Sequence, residues 1–194
     1  MPRALRLALV GLSLLLVILV GARLLLFPAL NTSIADTFGQ GDYRLETTDG
    51  KPFTFDSLKG APSAVYFGYT HCPDVCPTTL GDILTWQEAL GENGKQLRVF
   101  FITVDPERDS LAMLKSYVSW VPGVVGVSGS SEEIAKAIRA FRVYAQKVPG
   151  TGGDYGMDHT ATLFLFDAQG RLFEPIGYGE GDTRALAKLK RLLG

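Results

Sequence analysis

"SAVYFGYTHCPDVCPTTL" (residues 63–80) is the stretch that decides the fold. It opens with a short apolar, aromatic run over residues 63–70, which reads as a buried strand. Near its end stands Pro77, a residue suited to the first turn of a helix. Beyond it Leu80, Ile83, Leu84 and Leu90 share one helical face over residues 77–92, with Trp86 flanking that face. A strand, a short loop and a helix in that order form the repeating unit of an α/β sheet. The loop holds the only two cysteines of the chain, Cys72 and Cys76.

The same alternation continues downstream. Residues 96–104 ("QLRVFFITV") read as a second buried strand, and Leu111, Leu114, Tyr117 and Val118 mark a helix that Asp109 is placed to cap. Residues 123–127 suggest a short strand. Ile134, Ile138 and Phe141 give a helix starting near Ser131, with Glu132 and Glu133 suited to its first turn. A glycine-rich loop, "PGTGGDYGMD", precedes a hairpin of residues 160–166 and 171–178, whose second arm Pro175 makes an edge strand. Leu186, Leu189 and Leu193 end the chain in an amphipathic helix. Tyr66, Phe67, Phe100, Phe101, Phe164 and Phe166 are most simply core residues. The expected fold is a three-layer α/β domain.

With 194 residues there is room for one such domain and a tail. Residues 7–22 carry no charge, and the apolar character resumes after Arg23. A helix over residues 5–27 would reach roughly 34 Å, enough to span a bilayer. Arg3 and Arg6 precede it and no basic residue follows Arg23 until Arg44. The positive-inside rule then leaves the N-terminus in the cytoplasm and the domain outside. A cleaved signal peptide is the rival, since Val20-Gly21-Ala22 and Ser33-Ile34-Ala35 both have small residues at cleavage-like positions. The first leaves an unusually apolar new N-terminus and the second lies far beyond the apolar run. No Arg- and Ser-rich transit segment precedes the apolar stretch, which favours a bacterial envelope protein. The expected organisation is an anchor at 1–30, a polar linker at 31–41 and a domain at 42–194. Lys and Arg together number 19 and Asp and Glu 20; setting aside Arg3, Arg6 and Arg23 leaves 16 against 20, a net charge of −4 outside the membrane. A nucleic-acid partner wants the opposite sign.

Three roles compete for the cysteine pair. A structural disulfide would close so short a loop that it constrains little of the unfolded chain. A redox dithiol suits a loop between a central strand and a helix, where first-turn N–H groups favour a thiolate, with Cys76 at or near the cap. Redox dithiols of thioredoxin-like proteins usually have two residues between the cysteines, however, and here there are three. Three is within the range of metal-ligating pairs, and two soft thiolates suit Cu(I) or Zn(II). Two ligands from one loop rarely complete a site. His159, in "DYGMDHTATLFLFD", stands before the strand that faces such a loop in a thioredoxin-like sheet, where thioredoxins hold a cis-proline. A lone histidine at a strand edge is ordinarily structural; two cysteines needing a third donor reverse that preference. His71 is adjacent to Cys72, and neighbouring side chains of an extended segment diverge, so it is set aside as a ligand. Met157 reads as packing. "GTGG" lacks the Lys-Ser/Thr pair of a phosphate loop, and its glycines serve rather to let the His159 loop move.

"YFGYTHCPDVCPTTL", "FITVDPERDS" and "DYGMDHTATLFLFD" together resemble the Sco/SenC family of membrane-anchored, thioredoxin-fold copper chaperones, from about Asp42 to the C-terminus. The resemblance implies that Cys72, Cys76 and His159 bind copper, Cu(I) chiefly through the sulfurs and Cu(II) through the imidazole as well. It implies delivery to the dinuclear copper site of cytochrome c oxidase subunit II, or work with the assembly factors of that oxidase, from a single-pass position in the bacterial inner membrane with the domain in the periplasm. Some relatives look like thiol reductases, so a thiol–disulfide oxidoreductase using Cys72 and Cys76 is the alternative; a sensor acting by contact is a third. Asp158 and Asp154 are candidates to orient the imidazole or meet a partner, and the resemblance adds Asp105.

Overall fold

The computed structural model describes residues 2–26, 33–150 and 154–194. The chain divides into two compact units, one ending at Ile34 and the other Ala35–Gly194. In the first, helix α1 (Arg3–Leu26) is long and apolar enough to cross a membrane, with Arg23 in its last turn. Its side chains face outward, Leu7 73% and Val17 69% exposed. Ser13 returns its hydroxyl to the Leu9 carbonyl at 2.7 Å, satisfying the polar group within the helix as a lipid environment requires. It is a candidate membrane anchor.

The second unit is built on a seven-stranded sheet. Strands β3 (Ser63–Gly68), β4 (Arg98–Thr103) and β5 (Val124–Ser128) run parallel at its centre. Both faces of β3 are buried, as a near-continuous apolar run predicts. Antiparallel β8 (Thr162–Phe166) and β9 (Leu172–Gly177) extend one side, with Pro175 in the outermost strand as expected. On the other side lie β1 (Leu45–Thr47) and β2 (Pro52–Phe53), neither anticipated because they are only three and two residues long.

Alternation along the strands sorts the helices into layers. Tyr66, Phe101 and Gly126 are register partners on one face. That face carries α3 (Val75–Leu90), α4 (Leu111–Val118) and α6 (Asp182–Leu193): the Tyr66 hydroxyl meets Cys76 and Thr79, Phe101 meets Tyr117, and the Trp86 indole donates to Asp182 at 2.9 Å. Trp86 is therefore core, not a flanking residue. The opposite face is an aromatic cluster of Phe67, Phe141 and Phe166 joined by Phe38, beside α5 (Ser131–Ala140). Sheet between helices gives the three layers expected.

Four local expectations change. The helical turn α2 (Ile34–Thr37) and the buried Phe38 fall inside the segment read as linker, so the compact unit starts before Asp42 (Asn31 and Thr32 are outside the described residues). Ser110, not Asp109, caps α4, accepting from the Met113 amide at 3.3 Å. The segment before β8 is not a bare loop: β6 (Ala145–Pro149) and β7 (Tyr155–His159) pair as a separate two-stranded sheet. Residues 151–153 of the glycine-rich segment, where loop movement is expected, are outside those described. Finally, α3 begins at Val75 with Asp74 at the cap, so Pro77 is in the first turn as expected but Cys76 lies inside that turn and not at the cap.

Candidate metal centre

The strand β3 and helix α3 place the cysteine loop at the C-terminal edge of the parallel strands, where α/β folds assemble their sites. Thr70, the residue that starts the loop, is fixed by Asp109. This carboxylate is 0% exposed and accepts from the Thr70 amide (3.0 Å), the Thr70 hydroxyl (2.6 Å) and the Thr103 hydroxyl (2.7 Å). His71 turns aside, its Nδ1 3.0 Å from the Thr70 hydroxyl, and takes no part in the sulfur cluster. Cys76 is buried under the sheet edge and Cys72 is half-exposed above it; both are free thiols.

His159 arrives from the end of β7 rather than from the start of β8. The donor atoms of Cys72, Cys76 and His159 lie within 4.8 Å of one another, and Cys76 Sγ stands 3.6 Å from His159 Nε2. With bonds of about 2.3 Å to sulfur and about 2.0 Å to nitrogen, a trigonal ion separates such donors by about 3.7 Å. The Cys76–His159 separation matches such an ion, and the three side chains together could hold one. His159 Nδ1 is 3.2 Å from the Thr160 carbonyl, which can only accept, so Nδ1 carries the hydrogen. In the neutral ring that leaves the lone pair on Nε2, toward the sulfurs. Met157, buried behind the imidazole, packs as expected. Tyr69 and Tyr66 meet the imidazole edge to face, with ring centroids 5.8 and 6.2 Å from it. A cleft of about 370 Å³ opens over the group, lined by Tyr69, Cys72, Pro73, Tyr144, Met157 and His159.

The two sulfurs differ in charge. The Cys72 thiol is pulled down to about 4, first by the Cys76 S–H donated to it and further by the amides of Cys76 and Asp74. The Cys76 amide, one of the free N–H groups of the α3 first turn, lies 3.4 Å from Cys72 Sγ. Cys76 is pushed strongly up, by its bond to Cys72 and then by burial. The thiolate expected at Cys76 thus belongs to Cys72. The first-turn amides point back along the chain to the sulfur four residues earlier, not to the side chain that sits among them.

Of the expected carboxylates, Asp154 and Asp105 have other partners and Asp158 lines the cleft. The Thr160 carbonyl, not Asp158, meets the imidazole; Asp158 is exposed on β7. Asp154 binds Arg108 at 3.0 Å. Asp105 is 1% exposed and takes Arg108 Nε and the Tyr155 hydroxyl, the latter at 2.8 Å. Arg108, Tyr155 and Tyr69 were not singled out from the sequence. The one sign was "RD" beside "DPE", a basic residue flanked by acids, whose partner 47 residues away no local pattern reveals.

Residues 32–194 match the family model described as SCO1/SenC. The chain belongs to this family. The copper-bound ScoI of Bradyrhizobium japonicum is similar at 46% identity and a TM-score of 0.72, covering 80% of this chain and 99% of that one. Copper-bound yeast Sco1 is similar at 34% identity and a TM-score of 0.72, covering 80% and 87%. Over 153 residues the chain is 35% identical to the mitochondrial protein SCO1 of Saccharomyces cerevisiae, covering 77% of this chain and 52% of that protein. The chain spans about half the length of the yeast relatives it matches. The SCO1/SenC likeness confirms the thioredoxin-like α/β fold. No cis peptide bond occurs among the described residues, His159 included, where a thioredoxin would place its cis-proline.

Proposed function

We propose that the chain is a membrane-anchored copper carrier of the bacterial inner membrane. Residues 1–30 anchor it, the domain faces the periplasm, and Cys72, Cys76 and His159 hold copper as cargo. The observation that carries this reading is the meeting of two sulfurs and an oriented imidazole within 4.8 Å. Copper-bound relatives of the same fold support the choice of metal. The two thiolates suffice for soft Cu(I), with Cys76 giving up its proton as the ion arrives; Cu(II) makes more use of the harder imidazole. Half-exposed Cys72 faces the cleft, so incoming thiolates of an acceptor reach the ion from that side and displace it by ligand exchange. The acceptor in this reading is the dinuclear copper site of cytochrome c oxidase subunit II, as the family resemblance implies.

The charge asymmetry favours one alternative, a thiol–disulfide oxidoreductase. There the Cys72 thiolate attacks an envelope protein's disulfide and Cys76 resolves the mixed disulfide, so two thiols are oxidised as the partner's disulfide is reduced. That chemistry needs no imidazole. Anaerobic titration of the full chain in detergent with Cu(I) and with Cu(II) separates the two. His159→Ala should keep Cu(I) and lose or shift the thiolate-to-copper absorption band of Cu(II), while Cys72→Ser or Cys76→Ser should lose tight binding of both. Identical Cu(II) spectra for wild type and His159→Ala would return the cysteines to redox chemistry.

A further inference from the structure

The five-residue loop from Asp105 to Asp109 touches both halves of the site. Its Asp109 end holds Thr70, the start of the cysteine loop, as described above. Its other end holds the hairpin that delivers His159. The Arg108 guanidinium is the link: Nε binds Asp105, while one terminal nitrogen donates to both the Tyr155 carbonyl and the Asp154 carboxylate at 3.0 Å. The same guanidinium lies over the Tyr155 ring, 3.6 Å from its centroid, and 5.9 Å from the Tyr69 ring centroid. Tyr155 completes the circuit through its hydroxyl on Asp105. The loop is closed on itself by amides of Arg108 and Asp109 donating to the Asp105 carbonyl at 3.2 and 2.9 Å, so its two ends move as one body.

The hairpin has few other ties: Met157 is buried with the Tyr69 hydroxyl on its backbone, and Lys147 pairs with Glu107 of the same loop at 2.6 Å. β6 and β7 pair only with each other, outside the main sheet. At the His159 end the chain continues into β8, and Tyr144 and Thr160 exchange hydrogen bonds at 3.0 Å. Tyr155 is four residues away, roughly 13 Å along an extended strand. Tyr155 at one end and the attachment to β8 at the other hold β7, with Met157 packed between them.

We infer that this loop is a bracket that sets the position of the imidazole against the sulfur pair, with Arg108 and Tyr155 as positioning residues for His159. The inference rests on the copper reading for its effect: the bracket governs Cu(II), which uses the imidazole, far more than Cu(I), which the sulfurs hold. Loss of partners that orient a metal ligand typically costs about 10–100-fold in affinity.

The test uses the full chain in detergent micelles with Tyr155→Phe, Arg108→Met and Arg108→Lys, and Ser130→Ala as a control that removes a distant helix cap. Tyr155→Phe and Arg108→Met should lower Cu(II) affinity at least about tenfold and move the absorption band toward that of His159→Ala, with Cu(I) affinity held. Arg108→Lys, which keeps the charge beside Asp105 without the planar fork, should recover part of the loss. Ser130→Ala should change neither metal. In metal-free protein, nuclear Overhauser contacts between the Tyr69 ring and the His159 ring should be present in wild type and weakened in Tyr155→Phe and Arg108→Met. Unchanged Cu(II) affinity, equal loss of Cu(I) and Cu(II), or undiminished ring contacts would each overturn the bracket. If wild type binds no copper the copper reading falls, and the ring contacts alone then decide whether the bracket exists.

Discussion

Raising the pH on the reduced protein while alkylating it with iodoacetamide tests the charge asymmetry of the sulfur pair. Cys72 ionises near 4 instead of the ordinary 9.0. At pH 7 a thiol of ordinary acidity is about 1% thiolate, whereas one ionising near 4 is almost wholly thiolate, a gain of about 100-fold. Nucleophilicity falls along with the pKa, with a slope of about 0.4–0.5, and over this span that loses about two powers of ten or slightly more. The two effects nearly cancel, so the rate at pH 7 resembles that of a free cysteine. The pH dependence does not cancel. An ordinary thiol speeds up about tenfold per pH unit between about pH 5.5 and 8, while Cys72 should react at a constant rate across that range. Buried Cys76 should stay unlabelled, one adduct per chain by mass spectrometry.

Cys76→Ala removes the largest cause of the shift, the donated S–H, and should move the onset of the plateau to higher pH. A rate that climbs about tenfold per unit through neutral pH in wild type would refute the assignment. So would a Cys76→Ala profile identical to wild type. The sign for stability follows from the same shifts. A lowered pKa at Cys72 contributes stability that is complete above the unfolded value of 9.0 and lost as pH falls toward 4. The raised pKa of Cys76 contributes stability complete below 9.0 and lost as pH rises beyond it. Compared with Cys72→Ala, wild-type reduced protein should therefore gain urea resistance from pH 5 to pH 8.

Two other substitutions probe the support of the site. Asp109→Ala strands three donors in a fully buried place, at about 1–3 kcal/mol each when unpaired, and with hydroxyls free to re-aim the total should be about 3–5 kcal/mol, read from the urea midpoint; a loss below about 1 kcal/mol would show that the cysteine loop holds itself. Gly68→Ala would set a methyl 2.9 Å from Cys76 Sγ and 2.7 Å from the Phe101 ring, so it should cost about 1–3 kcal/mol and weaken Cu(I) binding by displacing the sulfur, whereas wild-type Cu(I) affinity would mean the sulfur is not confined there.

The layers and the ligand candidates were legible because they depend on local features. A run buried on both faces, a proline in a first helical turn, and apolar residues at helical spacing are each visible within fifteen residues. The ligands were legible because the chain has only two cysteines and two histidines. The hairpin that carries His159 was not. β6 is largely exposed and β7 mostly half-buried, and neither presents an alternating apolar pattern. Which sulfur is the thiolate depends on the direction of the first-turn amides, which point back to Cys72, and proximity to the helix start alone does not show it.

The loop "VDPERDS" shows where reading a motif by its nearest element fails. An aspartate before a helix suggests a cap, and Asp109 stands one residue before Ser110. Both cannot cap α4. The serine hydroxyl reaches the Met113 amide from its own extended backbone, and that frees Asp109 to point inward. There it meets donors from β4 and from the start of the cysteine loop, elements 6 and 39 residues away in sequence. Asp105 and Arg108 likewise face partners 46 to 50 residues off. A capped helix with a spare carboxylate beside it marks a residue whose partner lies elsewhere in the fold. In this chain that partner is the loop bearing Cys72.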